Sequence, residues 1–168
     1  MGVLPSFEAV GNPIRSMWDR LSPLPGGRTL YSRLIGRMAP YTGTIRAKVT
    51  ELGEGHARVV MPDRPGIRNH LRSVHAVALF NLAELTGNAA LGYSLPDDAR
   101  FIPVAIRIEY LKKARGPITG TATCPVLESN APQDIEVPVS MWNQDAVEVA
   151  RAVLVTRVGP KKGAPVRA

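Results

Sequence analysis

The chain reads as an α+β domain in which an antiparallel sheet wraps one long central helix, with a helical arm at the N-terminus. Two observations carry this. Ser73–Tyr93 is a run of roughly 20 residues, about 30 Å long if helical, with apolar residues on every side. A helix without a polar stripe must be buried on most of its surface. Strand signatures flank it, two segments before and four after, and that order calls for a sheet around the helix.

Residues 1–40 are rich in Pro and Gly, with short helical patches around Trp18–Leu24 and Leu30–Met38. Leu30, Leu34, Ile35 and Met38 recur at helical spacing. This region is expected to be an arm, 1–40, that packs on a main domain, 41–160. Thr44–Leu52 and His56–Met61 have strand character and flank Gly53-Glu54-Gly55, a tight hairpin signal. A Pro/Gly/Asn loop, Pro62–Arg72, leads to the long helix, for which Ser73 is a candidate N-cap. After it come strands at Ile102–Leu111, with Val104, Ile106, Ile108 and Tyr110 alternating, then Ile118–Leu127, Ile135–Trp142 and Val147–Val158. Turn residues separate them, and the spacing suits an antiparallel meander. Residues 161–168, with Lys161, Lys162 and Arg167, are expected to be a basic disordered tail.

Composition bounds the function. The 168 residues suffice for one domain. No run of 18 apolar residues offers a membrane span, and no secretory signal is visible at the start. The pattern Gly2-x-x-x-Ser6 matches a myristoylation site, but the pattern is short. A single cysteine, Cys124, rules out an internal disulfide or a cysteine-rich metal site and reads as a small strand filler. The expected compartment is the cytoplasm. Lys and Arg total 21 against 14 Asp and Glu, a net charge of +7. That balance favours anionic partners, either nucleic acid or a phosphate-bearing small molecule. Only 5% of residues are aromatic and no nucleic-acid motif appears, so a nucleic-acid partner is not expected.

The helix segment reads Asn69-x5-His75-Ala76-Val77-Ala78-Leu79-Phe80-Asn81-Leu82-Ala83-Glu84. It resembles the hotdog-fold pattern Asn-x5-His-Gly-Gly-x-Leu-Phe-x-Leu-Ala-Asp/Glu of phenylacetyl-CoA-type thioesterases. The strand Val104–Gly116 is similar to that superfamily's strand ending Tyr-Leu-Lys-Pro-Ala-x-Gly. The variant looks closest to a hotdog subfamily known only as a domain of unknown function. The resemblance runs from about Pro40 to Val158. It implies a curved sheet, an acyl-CoA thioester substrate and no cofactor beyond the coenzyme A that the substrate carries. Because that subfamily is uncharacterised, the resemblance leaves open whether the chain is an enzyme.

Thioester hydrolysis needs a carboxylate to activate water or attack directly, and donors for the developing oxyanion. Glu84 is the only acidic residue in the long helix. It is either the reactive carboxylate or a structural Glu paired with an Arg. Asn88 follows one turn later on the same face, where the resemblance implies an orienting polar residue. The N–H groups of Ala76 and Val77 at the helix start are the candidate oxyanion donors. The resemblance gives that role to the first of two glycines. Both are replaced here, which hinders close approach of a substrate. Asn69 either orients the thioester from the loop or is an ordinary turn residue. His75 is either catalytic or a brace for the loop. Val77, Phe80 and Asn81 are expected to contact substrate, and Lys112, Lys113 and Arg115 its phosphates. No metal ligand set is present.

Within one helix, His75 and Glu84 lie about 13.5 Å apart along the axis and about 180° around it. A joint site therefore requires two copies, and a homodimer or a dimer of dimers is expected. The leading expectation is an acyl-CoA thioesterase, and the alternative is a non-catalytic acyl-CoA or fatty-acyl binding protein. A hotdog dehydratase would need a His-Phe-Pro-Gly loop or an Asp-x4-His pair, and neither occurs.

Overall fold

The computed structural model describes residues 10–167. The myristoylation pattern at Gly2–Ser6 lies outside them. Three helices come first: α1, Pro13–Leu21; α2, Gly27–Met38; and the short α3, Pro40–Gly43. The hairpin β1, Lys48–Gly53, and β2, His56–Met61, follows, then the central helix α4, Ala76–Ser94. The last four strands are β3, Ala99–Tyr110; β4, Ile118–Thr123; β5, Gln133–Trp142; and β6, Glu148–Pro160. All neighbours in the sheet pair antiparallel, in the order β1-β2-β4-β5-β6-β3. This is the expected hotdog arrangement.

Gly53 pairs with His56 across the hairpin, and Gly55 takes φ +72°, which a glycine adopts without a Cβ penalty. The centre of α4 is fully enclosed: Leu82, Ala83, Ala90 and Leu91 are inaccessible and face strand residues such as Met61, Ile118, Val137 and Leu154. That dry interface explains why α4 lacks a polar stripe.

The arm secures both ends of this layer. Asn12 accepts from the Arg15 N–H to cap α1, and its amide donates to the carbonyls of Gly92 (2.8 Å) and Leu95 (3.1 Å). It thereby satisfies carbonyls at the end of α4 that lack helical partners. Trp18 meets Tyr31 edge to face at 5.1 Å. On α2, Arg28 donates to Thr50 O (2.7 Å) and Ser32 accepts from the Val49 N–H (3.0 Å). The outer edge of β1 is thus covered, as a stable sheet edge requires.

Several expectations are corrected. The central helix starts at Ala76, not near Ser73, and its N-cap is His75. The Ser73 hydroxyl is spent on Asn69 Oδ1 (3.1 Å), and the Val74 N–H donates to Ala114 O, so 73–75 runs extended along the loop. β4 ends at Thr123, because Pro125 has no N–H for the ladder. Cys124 therefore lies just past the strand, its thiol pushed up by burial. The four later strands are not a simple meander. β3 sits at the far edge, against β6. Only part of its alternating apolar face is covered, with Val104 47% and Tyr110 49% exposed. The expected loose tail has partners too: Lys161 is buried and donates to Gly11 O, while Arg167 pairs with Asp98 at 2.7 Å. No described helix is long and apolar enough to cross a membrane.

Candidate functional site

The middle of α4 turns Glu84 and Asn88, one turn apart, into a cavity of about 170 Å³. Its other walls are mostly apolar and include Tyr31, Ile35 and Met38 of α2, Val49 of β1, and Phe101 of β3. Glu84 is half-buried and has no ion-pair or hydrogen-bond partner among the described residues. Arg107 forms no ion pair among the described residues, and Glu109 pairs with Arg151 (2.8 Å). Asn88 has its Oδ1 buried without a partner. A carboxylate and an amide oxygen left unpaired among apolar walls cost free energy unless a ligand or water meets them. Burial and the nearby Asp19 carboxylate push the Tyr31 phenol above its usual range, so this wall of the cavity stays neutral.

The start of α4 forms a separate feature. The His75 Nδ1 accepts from the Val77 N–H at 3.1 Å. That nitrogen is therefore unprotonated, and a neutral ring carries its proton on Nε2. This use of the Val77 N–H removes one of the two expected oxyanion donors. The Ala76 N–H has no partner among the described residues, and Ala76 O accepts from the Tyr110 hydroxyl at 3.2 Å. His75, Ala76 and Val77 are all exposed, whereas Phe80 is half-buried. Asn81 is 2% exposed; its amide donates to Tyr41 O (3.0 Å) and its buried Oδ1 has no partner. His75, Val77 and Asn81 line a shallow cavity with Tyr41 and Ile67. It has no lining residue in common with the Glu84 cavity.

Asn69 is occupied locally. Its Oδ1 accepts from the N–H groups of Leu71 and Ser73 and from the Ser73 hydroxyl. This is the turn arrangement that asparagine favours. Lys112, Lys113 and Arg115 are exposed on the loop after β3. Val74 N–H straps this loop to the segment before the helix through Ala114 O (2.8 Å), and Gly116 N–H ties it to the loop after β2 through Asp63 Oδ2 (3.1 Å). Asp63 also binds Arg68 at 2.7 Å. The Arg68 guanidinium, and after it the Gly116 N–H, hold the Asp63 carboxyl below the usual range against the opposing effect of burial.

The candidate residues therefore fall into two separate groups along α4. Glu84 and Asn88 sit mid-helix, and Asn69, His75, Ala76 and the loop cations cluster at its start. Sequence reasoning did not find the contribution of the arm to the Glu84 cavity. The helical spacing of Ile35 and Met38 was visible, but not what they would face.

Residues 27–158 match the sequence profile of a family described as a domain of unknown function, DUF4442. The chain belongs to the DUF4442 family. The match starts at the first residue of α2, so the arm helix that walls the Glu84 cavity is part of the DUF4442 unit. Among solved structures, the chain is similar to a genomics target at 32% identity, covering 88% of this chain and 98% of that one, with a TM-score of 0.75. It is similar to a thioesterase from Haemophilus influenzae at 16% identity, covering 76% and 90%, with a TM-score of 0.66. It is also similar to the E. coli PaaI protein from the phenylacetic acid degradation operon, at 20% identity, covering 77% and 94%, with a TM-score of 0.59. At these last two identities the likeness is one of fold: this DUF4442 chain and these proteins share the hotdog architecture. No curated protein sequence matches the chain.

Proposed function

We propose that the protein hydrolyses acyl-CoA thioesters at a site assembled by two copies of the chain. The observation that carries this reading is Glu84, an unpartnered carboxylate facing an apolar cavity beside the unpaired amide oxygen of Asn88. In this reading Glu84 takes a proton from water, and the hydroxide adds to the thioester carbonyl. The partner subunit's Ala76 stabilises the resulting oxyanion through its free backbone N–H. The C–S bond then breaks, the thiolate takes the proton back from Glu84, and the products are a free acid and coenzyme A. Direct attack by Glu84 would pass through an anhydride that water then opens to the same products. Asn88 orients the water. Asn69 and His75 shape the helix start, and Val77, Phe80 and Asn81 contact substrate.

Two features support a two-copy site. The two groups of candidate residues in one chain lie on separate cavities. The outer edge of β3 is long, and its exposed apolar residues include Ile102 and Val104. A strand edge of this kind is a template for another strand. A two-fold axis there would bring the start of one α4 towards the middle of the other.

Glu84→Gln keeps the shape and removes the base. It should lower kcat for acyl-CoA hydrolysis by about 100-fold or more. Turnover at the wild-type rate would contradict the proposal. One observation favours a second reading, a non-catalytic acyl-CoA binding protein: Ala76 and Val77 stand where a glycine pair was expected, and the Val77 N–H is already occupied by His75. Under that reading acyl-CoA binds without release of thiol.

A further inference from the structure

A concave groove of about 970 Å³ opens between α2, the end of α3 and the start of β1. Five cationic side chains line it: Arg33 and Arg37 of α2, Arg46 and Lys48 before and within β1, and Arg64 from the loop after β2. No acidic residue lines it, and none of the five forms an ion pair with a carboxylate among the described residues. Elsewhere in the molecule six arginines pair with Asp or Glu, so this cluster has been left uncompensated. Like charges gathered on one concave surface repel each other and focus a positive potential. Arg64 adds a second sign: its guanidinium donates to Thr44 O, while its Nε is buried with no partner. Arg46 holds φ +51°, uncommon for a residue with a side chain and often associated with function.

The groove is also built by close packing. A Cβ on Gly43 would come within 2.5 Å of Gly36 O, so only glycine lets α3 approach α2 this closely and form the floor. Ile35, Thr42, Val49 and Leu85 line both this groove and the Glu84 cavity. The two are adjoining compartments, one cationic and one apolar with a carboxylate at its wall. An amphiphile with clustered phosphates at one end and an acyl group at the other fits that sequence of surfaces.

We propose that the α2–β1 groove is the phosphate-binding site of the protein and holds the phosphorylated headgroup of its acyl ligand, rather than the exposed loop at Lys112–Arg115. The inference rests on the acyl-CoA reading for the identity of the headgroup. Guanidinium groups bind phosphate oxygens in pairs of charge-assisted bonds. The acyl end then enters between Ile35 and Leu85, next to Glu84.

The test uses coenzyme A itself, without an acyl group, so that binding is read independently of turnover. Calorimetry compares wild type with Arg33→Glu/Lys48→Glu in the groove and with Lys112→Glu/Lys113→Glu on the loop. All four positions are exposed, and circular dichroism verifies folding. The groove pair should weaken coenzyme A binding about tenfold or more. The loop pair should change it by less than about twofold, and added salt should weaken wild-type binding. Equal affinity in wild type and groove pair would overturn the proposal. So would an absence of coenzyme A binding alongside groove-dependent binding to phosphatidylglycerol vesicles, which would make the headgroup a lipid's. If Glu84→Gln stays active while the groove pair loses coenzyme A, the hydrolytic reading fails and the phosphate site stands.

Discussion

Glu84 and Asp63 illustrate two fates of a carboxylate in this molecule. Glu84 faces an apolar cavity with no described partner, whereas Asp63 is bound by Arg68 and by the Gly116 N–H. Asp63 ties the loop after β2 to the loop after β3, and through it to the start of α4. Because its carboxyl is held below the usual range, its contribution to stability is present above about pH 4 and drains away as pH falls through the folded value. Thermal melts should therefore show Asp63→Asn a few degrees below wild type at pH 7, with the gap narrowing at pH 3. A constant gap at both pH values would show that the ion pair is not the source. The sequence displayed Glu84 clearly, as a lone acid in an apolar run. It did not display the local bonds that occupy Asn69 and His75. Those depend on Ser73 and Val77, which are two to four residues away but meet only in one turn geometry.

At the scale of elements, the periodic segments were the legible ones. The long helix and the hairpin at Gly53–Gly55 follow from local pattern, since burial on all sides and a two-residue turn each leave a direct mark. Strand order does not. The alternation in β3 says that one face is apolar, but its place beside β6 depends on the path of the chain across α4. That placement leaves Ile102 62% exposed on an edge strand. Ile102→Asp puts a charge where the proposed partner strand would pack. Light scattering should then report monomers in place of dimers, with hydrolysis lost although Glu84 is untouched. A dimer that persists in this variant would remove β3 from the interface.

Across the whole molecule, the arm turns a helix-and-sheet scaffold into a walled compartment. α1 fastens the end of α4 through Asn12, and α2 covers the edge of β1 and supplies Tyr31, Ile35 and Met38 to the Glu84 cavity. The sequence placed the arm against the domain without revealing this role, because its contacts join residues far apart in the chain. The two groups of candidate residues lie at the start and in the middle of one helix, on separate cavities, so the account stands or falls on their meeting between subunits. Mixing two inactive variants tests this directly. Glu84→Gln removes the acid. Ala76→Pro removes the free N–H at the first helical position, where proline is tolerated. Co-assembled in equal amounts, the pair should recover about a quarter of wild-type acyl-CoA hydrolysis, because half the dimers are mixed and each mixed dimer holds one intact composite site. Mixed dimers that form but stay as inactive as either parent would contradict a shared site.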